Sequence, residues 1–383
     1  MLTFVPTNKP KWSAGVAGRG GRPGKGKEMT NKQLQRAAAR TWPYGTHRGY
    51  EAGLRRAAAL WFAGKGAQTA PGRPYCLARH DMWRENIILP EVADYVAAEH
   101  ARRQGDNGFP LHQWVHHGLS SQAMVFNLIG PLIVRGDLGP LQVAVGRAGI
   151  GWPGGTARAC FEHSDCAMFN EDPGHPTSID VVVEGQGGNL YIESKMVERG
   201  FGGCSVFADG DCEGMNPYPD RPGACYLHHI GRKYWTMMAE MGFGMGAGGP
   251  GPRCGQVADP NVGPMAGSSP NLTTGPVCPF ASYYQFYREV MFAIASGGSF
   301  VLLHDDRNPA FLKTADGHPP RGLWPFLVDS IPPNLRDRVG RITMQSVVQA
   351  IDESGRHADW IGDFRAKYGL QKDCGPSRDC QLV

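Results

Sequence analysis

Two short β-prone runs, separated by a glycine-rich turn, carry charged residues that are unusual for neighbouring strands. The segment TSIDVVVEGQGGNLYIESKMVE places Asp180 in the first run and Glu193 and Lys195 in the second. Side chains alternate along a strand, so Glu193 and Lys195 project from one face. If the runs pair as a hairpin, Asp180 can lie beside Glu193. Two carboxylates that close need a cation or a proton between them, which predicts an oxygen-rich site for Mg²⁺ or Mn²⁺.

Such a metal needs few protein ligands, because Mg²⁺ keeps several waters and often binds one or two carboxylates plus a substrate phosphate. Asp180, Glu193 and the backbone carbonyl of Ser194 would suffice. Lys195 would then assist the attacking water, since an ammonium favours its deprotonation and offsets charge that develops on phosphorus oxygens. A surface ion pair between Glu193 and Lys195 is the alternative interpretation of the same residues.

The flanking sequence predicts the elements that must position these residues. Ser120 or Ser121 can cap a mostly apolar helix, which precedes three strand-like segments: ARACFEHS, SIDVVVEG and NLYIESKMVE. A second helix, SYYQFYREVMFAIASGG, leads into the apolar strand SFVLLHDD, and further helices follow in TMQSVVQAID and ADWIGDFRAKYG. This order predicts a mixed α/β domain.

The spacing of Asp180, twelve residues and then Glu193-Ser194-Lys195 resembles the signature of the PD-(D/E)XK, or restriction-endonuclease-like, nuclease superfamily. The chain is similar to the bacterial restriction-endonuclease-like branch from about Gly118 to Leu370, in SSQAMVFNLIGPL, FEHSDCAMFNEDPGHPTSID, YIESKMVERGFGGC, CPFASYYQFYREV, LLHDDRNP and RITMQSVV to KYGL. The resemblance implies an α/β fold with a restriction-endonuclease-like core: a central mixed sheet flanked by helices, in the order αβββαβ, with N-terminal and C-terminal helical additions. It also implies a Mg²⁺- or Mn²⁺-dependent nuclease that acts on nucleic acid, most simply DNA.

Further site residues follow from the resemblance. In the superfamily, the helix before the first strand often supplies an acidic residue near the metal, but here it offers Gln122 and Asn127. Gln122 is therefore expected at the catalytic site and Asn127 at the substrate. A third acidic ligand could instead be Glu162 or Glu171.

The helix that follows the core strands commonly adds a polar residue to the site. Gln285 and Arg288 lie one turn apart there, in an otherwise aromatic and apolar helix. We expect Gln285 at the catalytic site and Arg288 to clamp a phosphate through its planar fork. The alternative is that both simply face water.

Four cysteines could close a tetrahedral structural zinc site around the loops after the Glu-Ser-Lys strand: Cys204, Cys212, Cys225 and Cys278. None of their spacings is the tight CxxC of a zinc ribbon. The alternatives are free buried cysteines, or a site with fewer thiolates in which His228 or His229 takes part.

Charge is distributed unevenly along the 383 residues, whose net charge is +4. Residues 1–60 contain twelve Lys and Arg against two Glu, so the basicity is N-terminal. Composition predicts a basic flexible arm (1–30), a helical N-terminal region (31–117), a Gly/Pro-rich loop (241–277) and a mobile tail (371–383), and the resemblance implies a nuclease-like domain over 118–370 that contains this loop. The arm could bind polyanions or be a solvated tail.

The chain has no predicted signal peptide or membrane span, and its ten cysteines are too sparse for a disulfide scaffold, so we expect a cytoplasmic protein. A homodimer is plausible because many double-strand cutters pair two sites by two-fold symmetry. Two other interpretations stay open: a catalytically inactive nucleic-acid-binding module on the same fold, and an unrelated cytoplasmic protein stabilised by zinc.

Overall fold

The computed structural model describes residues 47–103, 108–173, 176–217, 221–243, 278–312 and 322–370. The N-terminal elements are α1 (His47–Gly64), β1 (Thr69–Ala70), β2 (Arg73–Leu77), α2 (Pro90–Arg102), α3 (Ser121–Val134) and α4 (Gly139–Arg147). The central elements are β3 (Arg158–Asp165), β4 (Thr177–Gly185), β5 (Gly188–Lys195), α5 (Ser205–Asp209), α6 (Tyr226–His229), α7 (Tyr234–Glu240), α8 (Pro279–Ala295) and β6 (Ser299–His304). The last are α9 (Pro309–Leu312), α10 (Leu323–Asp329), β7 (Val339–Thr343), α11 (Met344–Ser354) and α12 (Ala358–Tyr368).

A five-stranded mixed sheet forms the centre, in the order β3-β4-β5-β6-β7. The β3–β4 and β4–β5 pairs are antiparallel, whereas the β5–β6 and β6–β7 pairs are parallel. Parallel neighbours require a crossover, and the chain between β5 and β6 includes α8 for that purpose. The result is a mixed α/β architecture in which helices flank the sheet.

The two faces of the sheet pack into different apolar clusters, as strand alternation requires. Val181 and Ile192 belong to the cluster that contains α3, whereas Val182 and Tyr191 belong to the cluster that contains α8. Asp180 and Glu193 are two residues from Val182 and Tyr191, so they share the α8 face. The sheet therefore directs its charged residues toward that helix.

The helix α3 is buried on nearly all sides, as its apolar sequence predicts. It begins after Ser120, whose hydroxyl oxygen accepts a hydrogen bond from the Ala123 N–H and caps the first turn. Gly130 faces α2, where a Cβ atom would lie 2.5 Å from Val92 Cγ1, so the two helices pack closely because this residue is glycine. This contact fixes α2 against the core.

The structure confirms the mixed α/β class and the flanking helices predicted from sequence. It adds elements that were not predicted: the β1–β2 hairpin, the helix α4, the edge strand β7 and the short helices α5, α6, α7, α9 and α10. The predicted arm (1–30), the tail (371–383) and most of the 241–277 loop lie outside the described residues. Among the described helices, none is both long and apolar enough to cross a membrane.

Candidate functional site

Two carboxylates meet where the β4–β5 hairpin ends. The register pairs Val181 with Ile192, and its next pair would be Asp180 with Glu193. The Ser194 N–H donates a 2.8 Å hydrogen bond to Asp180 Oδ2, which ties the first acid to the second strand. Glu193 is 3% exposed, whereas Asp180 is only partly buried. The pair is therefore largely sheltered from water but accessible on the Asp180 side.

Two side-chain donors, one ammonium and one amide, bind the same oxygen of Glu193. The Lys195 Nζ lies 2.5 Å from Glu193 Oε1, and Gln285 Nε2 of α8 donates to the same oxygen at 2.7 Å. Lys195 is 6% exposed and lies 5.7 Å from the ring centroid of Phe201. The surface ion pair considered from sequence is thus replaced by a buried one. The structure brings Asp180, Glu193, Lys195 and Gln285 together, as the strand and helix patterns predicted.

A third carboxylate, Glu162, lies beside this pair. It sits in β3 with a φ of 55°, and the β3–β4 ladder skips the position where it would pair with Asp180. A non-glycine residue in this backbone region is strained, and such strain often accompanies functional sites. Gln122 Nε2 of α3 donates to Glu162 Oε1 at 2.7 Å, and Ser178 Oγ donates to Glu162 Oε2 at 3.2 Å.

The pKa values of all three acids are raised. Burial raises the pKa of Asp180 well above its usual range, and the charges of Glu193 and Glu162 add to this effect. Burial likewise raises the pKa of Glu193, although Lys195 opposes the shift, and it raises the pKa of Glu162 to about 7. Burial lowers the pKa of Lys195, but Glu193 and its acidic neighbours outweigh that effect and hold the ammonium charged. One lysine thus faces several carboxylates, and the site has a net demand for positive charge.

This donor set suits a hard divalent cation. Carboxylate oxygens are the ligands that Mg²⁺ and Mn²⁺ prefer, and a cation would relieve the repulsion between the acids. Within the described residues, no three His, Cys, Asp or Glu side chains already form a closed metal site. Mg²⁺ does not require one, because one or two carboxylates with waters and substrate oxygens complete its shell.

A family of restriction endonucleases matches most of the chain. The family model, described as restriction endonuclease associating with ARP, covers residues 55–369. The chain belongs to this family. The match begins in α1, so it includes N-terminal helices that the sequence resemblance from Gly118 did not reach. No curated protein and no solved structure matched the chain.

Membership of this restriction-endonuclease family indicates a nuclease-like role.

The structure also places near the acids a residue that the sequence analysis missed. Glu289 lies on α8 one turn after Gln285, is completely buried, and neither of its carboxylate oxygens receives a hydrogen bond. Burial, reinforced by Glu193, raises its pKa well above the usual range. The available signal was a glutamate four residues after Gln285 in an otherwise aromatic and apolar helix.

Arg288 and Glu171 form a neighbouring network. Arg288 Nη1 lies 3.5 Å from Glu171 Oε1, and its guanidinium lies 5.0 Å from the ring centroid of Tyr284. Glu171 also accepts hydrogen bonds from the Thr177 N–H and hydroxyl and from the Tyr234 hydroxyl. Glu171 is therefore engaged in this neighbouring network, whereas Glu162 lies beside Asp180 and Glu193.

Asn127 lies apart from the acidic cluster. Its Nδ2 donates to the Asn86 carbonyl and the Tyr368 hydroxyl, both at 3.0 Å, and its Oδ1 accepts from the Ile88 N–H at 2.7 Å. With a side chain 1% exposed, Asn127 links the N-terminal segment to α12 and does not face the Glu193 site. Gln122, by contrast, reaches the cluster through Glu162, and it also bonds the Pro110 carbonyl and the His112 N–H.

Proposed function

We propose that this protein is a metal-dependent phosphodiesterase that hydrolyses the backbone of nucleic acid, with DNA as its substrate and internal cleavage as its mode. The observation that carries the proposal is the buried cluster of Asp180, Glu193 and Lys195 at the end of the β4–β5 hairpin, with Gln285 bonded to Glu193. Perturbed carboxylates beside a buried lysine are typical of catalytic sites.

The order of elements supports the same conclusion. If α4 and the short helices are taken as insertions, the series α3, β3, β4, β5, α8 and β6 follows the order αβββαβ, which supports the proposed restriction-endonuclease-like core. The antiparallel β3–β4–β5 part and the parallel β5–β6 pair fit that arrangement. Family membership over residues 55–369 points in the same direction.

In this proposal Asp180, Glu193 and the backbone carbonyl of Ser194 hold one Mg²⁺ or Mn²⁺. The bound cation supplies Lewis-acid activation of a water and neutralises charge on the scissile phosphate. Lys195 contributes its fixed positive charge, which stabilises the negative charge that develops on the phosphorus oxygens. Gln285 orients Glu193 through its 2.7 Å hydrogen bond, and Arg288 lies close enough to act on a substrate phosphate after leaving Glu171.

One observation favours a second candidate, a nucleic-acid-binding module without catalysis. Gln122 occupies the place where the superfamily often has an acid, and its amide is already satisfied by Glu162 and two backbone groups. Catalysis then depends on Glu162 to complete the acidic set. Tight binding of DNA without strand breaks in Mg²⁺ or Mn²⁺ would favour this second candidate.

The proposal is tested by incubating the protein with supercoiled plasmid and with linear single- and double-stranded DNA, in Mg²⁺, Mn²⁺ or EDTA. We expect cation-dependent nicking or linearisation that Glu193→Ala and Lys195→Ala each reduce by about 10³-fold or more. Glu184→Gln is the matched control, because Glu184 is an exposed acid on β4 and its loss should leave cleavage intact.

The outcomes separate the candidates. Cleavage that survives Glu193→Ala in a folded protein would remove the chemistry from this hairpin. Cleavage of RNA but not DNA would retain the mechanism and change the substrate. An absence of cleavage on every substrate, together with cation-independent DNA binding, would leave the inactive module.

A further inference from the structure

Four cysteines from separate loops line one small cavity beside α8. Cys204 precedes α5, Cys212 follows it, Cys225 precedes α6 and Cys278 precedes α8. The four cysteines are spread over residues 204–278. Apolar side chains of Phe207, Leu227 and Phe280 also line the cavity. All four thiols are free, so no disulfide accounts for their convergence. The apolar wall shields the group from water.

A backbone N–H group points at one of the sulfurs. The Gly214 N–H lies 3.3 Å from Cys212 Sγ. A donor placed two residues after a cysteine stabilises its thiolate, which is the form that binds metal.

The four thiols share one cavity with apolar side chains, so they would need a compensating cation in order to ionise there. Neighbouring thiolates in apolar surroundings repel one another, and a soft cation such as Zn²⁺ relieves that repulsion.

We propose that Cys204, Cys212, Cys225 and Cys278 bind one Zn²⁺ in a tetrahedral structural site. Four thiolates are a closed ligand set, with no position left for substrate. Among the described residues, the four sulfur atoms do not lie close enough together to form a closed metal site. A cysteine side chain rotates about its χ1 torsion alone, so each sulfur can move toward the cavity centre.

The zinc site would fix the loops that hold the N-terminal end of α8. The Cys204 N–H donates to the Phe280 carbonyl at 2.9 Å, and the Cys278 N–H donates to the Gly214 carbonyl at 2.8 Å. From the same loop, the Gly202 carbonyl accepts a 3.0 Å bond from the Gln285 N–H. Zinc would therefore hold the first turns of α8 and keep Gln285 aimed at Glu193. The zinc site itself does not depend on the proposed nuclease function.

The test is the metal content of the full chain, purified without chelators and measured by inductively coupled plasma mass spectrometry. We expect one equivalent of zinc, and we expect Co²⁺ exchanged into the protein to give the intense sulfur-to-cobalt absorption of tetrahedral thiolate ligation. Zinc below about a tenth of an equivalent after growth in zinc-supplemented medium, with no such absorption, would overturn the proposal. Stoichiometric iron instead of zinc would also overturn it.

Variants locate the ion. Cys204→Ser with Cys278→Ser should remove the zinc and lower the thermal midpoint, whereas Cys166→Ser, outside the cavity, should retain it. The triple variant of Cys254, Cys374 and Cys380 to Ser should also retain it, since the four proposed ligands are the cysteines that line the cavity. If the double variant fails to fold, the zinc content of the triple variant and its cobalt spectrum still decide the matter. Zinc lost with the triple variant would refute the assignment.

Discussion

Replacing Glu162 by glutamine should stabilise the protein at high pH, although it removes a residue of the site. Glu162 is 4% exposed, and burial is the main reason that its pKa rises from 4.5 to about 7. A carboxyl group whose pKa is raised in the native state costs stability above that pKa and costs nothing below its unfolded value. Stability should therefore fall as the pH rises from 4.5 to about 7.

The magnitude follows from the size of the shift. A rise from 4.5 to about 7 corresponds to a cost of about 3 kcal/mol for the ionised form, because each unit is worth about 1.4 kcal/mol. Since charged sites relax, we expect Glu162→Gln to gain about 1–3 kcal/mol at pH 8 and nearly nothing at pH 4.5. The glutamine carbonyl can still accept from Gln122 and its amide can donate to Ser178 Oγ, so the hydrogen bonds persist.

Urea denaturation in EDTA, followed by tryptophan fluorescence at pH 4.5 and pH 8, measures the difference. Glu184→Gln, an exposed position near the end of β4, is the control, and it should change stability by less than about 0.5 kcal/mol. The reasoning would be refuted if Glu162→Gln were less stable than the intact protein at pH 8, or if its effect were equal at both pH values.

Three further predictions follow. Gln285→Leu should reduce cleavage about 10–100-fold and raise the Mg²⁺ concentration that is required, because Glu193 loses its 2.7 Å donor; an unchanged Mg²⁺ titration would contradict this. Asn127→Ala should destabilise the fold by about 2–4 kcal/mol, since it strands the Ile88 N–H and removes a donor from the Asn86 carbonyl and from the Tyr368 hydroxyl, while cleavage per folded molecule stays within about threefold; intact stability with lost cleavage would restore the substrate role predicted from sequence. Deletion of residues 1–30, which contain six Lys and Arg, should flatten the dependence of DNA affinity on salt concentration in a filter-binding titration, and an identical slope would make the arm a solvated tail.

Strand periodicity and turn chemistry predict the local geometry of the site. Two β-prone runs around Gly-Gln-Gly-Gly predict a hairpin, and alternation along each run places Asp180, Glu193 and Lys195 on one face. Helical spacing in the same way places Gln285 and Arg288 one turn apart. These inferences depend only on neighbours in sequence, which is why the structure has the same arrangement.

Contacts between distant segments could not be predicted in this way. The position of Glu289 within reach of Glu193 depends on how α8 packs on the sheet, and the role of Asn127 depends on α12, more than two hundred residues away. Glu162 has a positive φ, although the composition of its strand predicts regular pairing with the neighbouring strand. The edge strand β7 is short, and its residues pair only because β6 offers a free edge.

The most direct test of the central claim is the single-turnover rate of DNA cleavage as a function of Mg²⁺ concentration, for the intact protein and for Asp180→Asn. If Asp180 and Glu193 hold the catalytic cation, the intact protein should show a saturable Mg²⁺ dependence. In the variant, the rate should fall by about 10³-fold and the dependence should shift to higher Mg²⁺ concentration. Equal rates and equal Mg²⁺ dependence in the two folded proteins would contradict the assignment of the metal site to the β4–β5 hairpin.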